Sequence, residues 1–138
     1  MLMVDPAAAL AVWGARSDNP WNAVVMDAFI DRGLLPMSDP DEPGMFRLAD
    51  SGELSGLVAA AGFGAIELRD LPVHWRFREI DEYWGVVTEI SPSLGGVIAT
   101  LDDAQVDAVK RDFAERCEPY RDGDGYDLPG LSIGLLAR

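Results

Sequence analysis

The chain has 138 residues, 49% of them hydrophobic and 25% charged, and a formal net charge of −13. That balance suits one globular domain and not a disordered chain. The acid excess argues against nucleic acid and anionic membrane surfaces as partners, since both call for clustered Lys and Arg, and no apolar run approaches the roughly 20 residues that cross a bilayer.

In chain order, the uncharged run Ala7 to Trp13, between Pro6 and Gly14, predicts a strand buried on both faces. Asn19-Pro20 starts a helix, with Asn19 as cap and Pro20 at the first helical position. Trp21, Val24, Val25, Ala28 and Phe29 recur at helical spacing, and Gly33 ends the helix in a left-handed turn. Three prolines and a cluster of acids fill the loop from Pro36 to Gly44, and Phe46 to Leu48 reads as a short extended piece. A helix then begins at Asp50 or Ser51, with Leu54, Leu57 and Val58 inward and Gly62 just past its end. Ala65 to Phe77 alternates as a strand, interrupted by Leu71-Pro72, which implies a bulge or an edge position. A helix over 79–89 stops at Ser91-Pro92, and a short segment leads on to Thr100. Asp102 caps a helix to about Glu118 that carries Val106, Val109, Phe113 and Cys117 on one face. A turn at Asp122-Gly123-Asp124-Gly125 precedes a last strand from Leu131 to Ala137.

Three segments carry a resemblance: Leu10-Ala11-Val12-Trp13-Gly14 with Asp18-Asn19-Pro20-Trp21; Ala60-Ala61-Gly62-Phe63 with the strand near Ile66; and Pro119-Tyr120-Arg121-Asp122-Gly123-Asp124-Gly125 with Leu128-Pro129-Gly130 and the terminal strand. In this order they resemble the C-terminal half of a class I S-adenosylmethionine-dependent methyltransferase of the bacterial small-molecule type. The likeness covers nearly the whole chain. It implies an α/β fold: a small mixed sheet of three strands, ordered 5-7-6 in the family's numbering, packed with about four helices as a single domain. It also implies that the family's cofactor half is missing. The Gly-rich loop and the strand-ending acid that grip S-adenosylmethionine lie upstream of the matched part. Gly123-x-Gly125 follows a helix near the C-terminus and is a poor phosphate or cofactor turn. S-adenosylmethionine is therefore expected only if a partner supplies the missing half, and the chain alone is expected to be inactive. The strand over 7–13 would sit at the sheet edge where the family's fourth strand pairs. A homodimer, or a separate chain, is expected at that edge.

In open α/β sheets, ligands bind beyond the carboxyl ends of strands. On the resemblance, Trp13, Asn19 and Trp21 would line the mouth of a substrate pocket, with Tyr83 and Trp84 on a helix of the lid. Such a pocket would suit a small apolar or aromatic molecule. The competing reading is that these aromatics simply pack in the core, and it is the stronger one for Tyr83 and Trp84. No catalytic residue is assigned. His74, the one histidine, could act as a general base, but no partner motif accompanies it and a structural role is preferred. Cys117, the one cysteine, permits no internal disulfide and reads as a buried core thiol, so a cytoplasmic setting is expected. The opening Met1 to Pro6 lacks the basic start of a signal peptide. A calcium loop starting at Asp122 fails, because its sixth position is Asp127 and its twelfth is Ile133. The acids Asp39, Asp41 and Glu42 read as a solvated loop, so no metal site is expected.

Overall fold

The structure is a computed structural model that describes residues 7–37, 39 and 41–138. Pro6 as a breaker and Pro40 within the acidic loop lie outside the described residues. The elements are β1 (Ala8–Trp13), α1 (Pro20–Ile30), α2 (Ser51–Ala60), β2 (Ile66–Phe77), α3 (Ile80–Ile90), α4 (Pro92–Ile98), α5 (Asp103–Cys117), β3 (Arg121–Asp122) and β4 (Gly125–Ala137).

The strands are ordered β1-β4-β2, with β3 added on β4. β1 pairs antiparallel with β4, from Ala8 opposite Ala137 to Trp13 opposite Ser132. Ala65 and Arg138 exchange both backbone hydrogen bonds, at 3.1 and 2.9 Å. That reciprocal exchange marks an antiparallel pair. The last strand therefore runs between two strands that are parallel to each other, in the order expected. The α/β class stands as well, with β3 as a fourth, two-residue strand and five α-helices among the described residues. β2 is continuous through Pro72, and its edge position explains why a residue without an N–H is tolerated there. Pro129 lies inside β4, which has a neighbour on either side. β1 covers 132–137 and β3 covers 125–126, so Pro129 falls in the gap between their registers.

The chain divides into two compact units. The first comprises the described residues up to Asn19, then Asp39–Val73 and Gly130–Arg138. Its core packs Leu54 and Val58 of α2 against Ile133, Leu135 and Ala137 of β4, flanked by Val12, Leu48, Phe63 and Ile66. Leu136, between two buried positions, is exposed, as period-two alternation requires. Asp50 caps α2 by accepting from the Glu53 N–H at 2.9 Å, and Gly62 beyond its end has φ +105°. Two expectations change here. Leu57 is 54% exposed: the buried stripe of α2 is only Leu54 and Val58, and the next position round the helix falls off it. Phe46 to Leu48 forms turns, not an extended piece, with Arg47 N–H donating to Gly44 and Ala49 N–H to Phe46. These local bonds satisfy backbone groups that an isolated extended piece would leave without a ladder partner.

The second unit comprises Pro20–Ser38 and His74–Pro129. All five apolar positions of α1 foreseen by periodicity are buried. Gly33, at φ +71°, closes α1, with Leu34 N–H bonded to Phe29 and Gly33 N–H to Ile30. That bond pair is a Schellman motif. On α5, Val109, Phe113 and Cys117 are buried and Val106 is half-buried. A capping box joins Asp102 and Gln105 at its start. The segment after Ser91 is helix α4, where only a lead-on was expected. Ser91 caps it, Pro92 opens it and Leu94 is buried within it; Gly95 and Gly96 had masked the pattern. Between β3 and β4, Gly123 has φ +57° while Asp124 has none of the positive φ reserved here to glycine. Glycine first in a two-residue hairpin loop suits a type II′ turn.

Candidate functional site

In the first unit, β1 turns away from β4 at Gly14. The Gly14 N–H donates to the Leu131 carbonyl at 2.7 Å, and a Cβ on Gly14 would stand 3.0 Å from that same oxygen. Only glycine allows this approach without a shift. Asn19 is fully buried. Its Nδ2 donates to the carbonyls of Gly14 at 3.3 Å and Ala15 at 2.9 Å, and its Oδ1 accepts from the Leu131 N–H at 2.9 Å. Asn19 thus fixes the loop after β1 to β4. Trp13 is half-buried opposite Ser132, whose hydroxyl donates to the Val12 carbonyl at 2.9 Å.

In the second unit, Trp21, Tyr83 and Trp84 belong to one aromatic network. Trp21 stacks on Trp75 at 5.0 Å between ring centroids. Tyr83 contacts Trp75, Phe77 and Phe113, most closely Phe77 at 4.5 Å. Trp84 joins Phe29 and Phe113, and Phe77 continues to Tyr126 at 5.0 Å. The Tyr83 hydroxyl donates to the Trp21 carbonyl. Burial pushes the Tyr83 phenol pKa upward, with the nearby Cys117 thiol adding to it. Of the five expected pocket residues, the structure thus joins Trp21, Tyr83 and Trp84 in the second unit and holds Trp13 and Asn19 in the first. Sequence reasoning missed Trp75, Phe77, Phe113 and Tyr126 as companions. Trp75 and Phe77 share one face of β2, a signal that was present in its alternation.

His74 and Arg76 occupy the alternate positions of β2, and both reach Asp127 of β4. His74 Nδ1 lies 2.9 Å from Asp127 Oδ1, and Arg76 Nε donates to Asp127 Oδ2 at 3.3 Å. The His74 hydrogen bond, foremost, and Arg76 hold the Asp127 carboxyl below its usual pKa, against a smaller opposing effect of burial. The histidine without a partner in the sequence therefore has a carboxylate partner 53 residues away. An open concavity of about 390 Å³ adjoins the pair, lined also by Pro119, Tyr120, Arg121, Asp122 and Pro129.

Cys117 is fully buried, and its thiol is pushed up to about 12, first by burial and then by the Glu118 charge. A thiol so protonated is a poor nucleophile. Among the described residues, no three His, Cys, Asp or Glu side chains gather as a metal site, and no helix is long and apolar enough to cross a membrane. The glycine between β1 and α1 is taken up by the close approach to Leu131. The described glycines with positive φ follow α1 and α2 or sit in the β3–β4 hairpin, none in a strand-to-helix turn. β1 is an outer strand of the sheet with Ala9, Leu10 and Ala11 exposed, not buried on both faces as its uncharged run suggested, because among the described residues no strand covers its far edge. No family model matches the chain, and no curated protein matches it.

Proposed function

We propose that the chain is the substrate-side half of a class I S-adenosylmethionine-dependent small-molecule methyltransferase, inactive without a cofactor-binding half. The observation that supports this reading is the strand order β1-β4-β2, with the last strand antiparallel between two mutually parallel ones. The quoted segments imply that order as strands 5, 7 and 6 of the methyltransferase sheet. On this reading the acceptor substrate is a small apolar or aromatic molecule, met in the second unit by Trp21, Tyr83 and Trp84. The cytoplasm is the setting in which such an enzyme works. Positioning donor against acceptor is the main service of such an enzyme, and on this reading the chain supplies only the acceptor's side. The purified chain incubated with S-adenosylmethionine and candidate acceptors is expected to form no S-adenosylhomocysteine. Turnover by the chain alone would overturn the reading.

A second reading, a dimerising or small-ligand module derived from such an enzyme, is favoured by one feature. β1 presents an uncharged, exposed edge of alanine and leucine, and unpaired edges recruit further strands. Under either reading the edge is the contact for a second copy or for a chain carrying the missing strands. Leu10→Lys is expected to abolish any dimer found by light scattering; a dimer that survives it unchanged uses another surface.

A further inference from the structure

We propose that the concavity at His74 is a binding site for small phenols, in which the imidazole Nε2 accepts the phenolic hydrogen. This inference stands apart from the methyltransferase reading and uses only residues of the second unit. Three observations carry it. An ionised carboxylate can only accept, so the 2.9 Å contact with Asp127 places the ring hydrogen on Nδ1. In the neutral ring with its hydrogen on Nδ1 the lone pair is on Nε2, which makes no hydrogen bond among the described residues. Asp127 is fixed in turn by Arg76. A carboxylate behind one ring nitrogen fixes the tautomer and orients the imidazole.

The second observation is charge. The groups around His74 are Arg76 on its own strand, Asp127 on β4, and Tyr120, Arg121 and Asp122 from the turn and β3. Both arginines are already occupied. Arg76 is on Asp127, and Arg121 lies on Glu118, with its guanidinium also on the Tyr126 hydroxyl and over the Tyr126 ring. Among the described residues around the concavity both arginines face a carboxylate, and the carboxylates of Asp122 and Asp127 oppose an anionic ligand. Among the described residues, His74, Asp122 and Asp127 do not gather as a metal site. A neutral hydrogen-bond donor remains. The third observation is shape: Pro119, Pro129 and the Tyr120 ring add apolar surface beside the polar groups of an open concavity, against which a flat ring can lie.

Because His74 is the sole histidine, its ring signals in a nitrogen-edited NMR spectrum are unambiguous. The full chain would be titrated with 4-nitrophenol and separately with nitrobenzene, which keeps the ring but lacks the hydroxyl. The expected result is saturable movement of the His74 signals by 4-nitrophenol in roughly the millimolar range, and about tenfold weaker binding of nitrobenzene, the loss typical of one hydrogen bond. Equilibrium dialysis of 4-nitrophenol should show a loss of about tenfold in His74→Gln and a smaller one in Asp127→Asn. Unmoved His74 signals, equal binding of the two probes, or undiminished dialysis binding by folded His74→Gln would each overturn the proposal. The two probes on the unaltered chain decide it even if a variant fails to fold.

Discussion

Removing the Asn19 side chain tests whether it is the tie between the end of β1 and β4. In Asn19→Ala, the carbonyls of Gly14 and Ala15 and the Leu131 N–H lose their bonds to Asn19. An orphaned buried group costs about 1–3 kcal/mol. The Gly14 bond is buried and the other two are partly so, which places the loss at about 3–5 kcal/mol by the same scale. A domain of this size has a stability on the order of 10 kcal/mol, so the variant should still fold but melt roughly 10–20 °C lower. Urea unfolding followed by tryptophan fluorescence gives the magnitude, and amide exchange at Leu131 locates it. Asn19→Asp keeps the acceptor for Leu131 but turns a carboxylate toward two carbonyls. Burial raises the folded pKa of that carboxyl above its unfolded value near ~3.9. The neutral acid is the tolerated form, so this variant comes closest to the parent below about pH 4 and loses stability as pH rises through the folded pKa. An Asn19→Ala midpoint within about 0.5 kcal/mol of the parent, or unchanged exchange at Leu131, would refute the assignment.

Gly125→Ala should destabilise by about 1–3 kcal/mol, as overpacking does, because its Cβ would stand 2.5 Å from the Phe77 carbonyl oxygen. Gly134→Ala should be far milder in the same denaturation assay, since the obstacle there is the flexible end of Leu71. Asp102→Ala removes the capping box of α5 and should cost about 1 kcal/mol, read from the urea midpoint. Cys117, with its thiol at about 12 and fully buried, should resist a disulfide-exchange reagent in the native chain and react promptly in denaturant. Prompt native labelling would place it at the surface. Asp127 has a folded pKa below its unfolded value. Its contribution is therefore present above the unfolded carboxylate range near ~4 and lost as pH falls through the folded value. Asp127→Asn should flatten the acid limb of the stability curve, by a small amount because water screens the pair.

How much was legible in the sequence follows from how local each signal is. The Asn19-Pro20 start, the Gly33 stop, the Asp50 and Asp102 caps and the existence of β1 were readable because each depends on neighbours within a few residues, whereas the burial expected for β1 was not, because it depends on which strands lie beside it. α4 was not, because Gly95 and Gly96 suppress helical propensity while the Ser91 cap and the burial of Leu94 outweigh them. Leu57 misled because its apolar side chain matched the period but its helix buries too narrow a stripe. The strand β4 begins six residues before the expected Leu131, and only the partner registers reveal the gap that admits Pro129 within it. The candidate sites were the least legible. The Tyr83 network joins residues from α1, β2, α3, α5 and β4, and the His74–Asp127 pair spans 53 residues, distances over which no sequence period carries information.

The most direct measurement is calorimetric titration of the purified chain with S-adenosylmethionine, with its mass in solution determined on the same sample. The account predicts no heat of binding by the chain alone, together with a mass showing a second copy at the β1 edge. One-to-one binding of S-adenosylmethionine would contradict it, because the chain would then hold the cofactor with residues assigned here to the substrate's side.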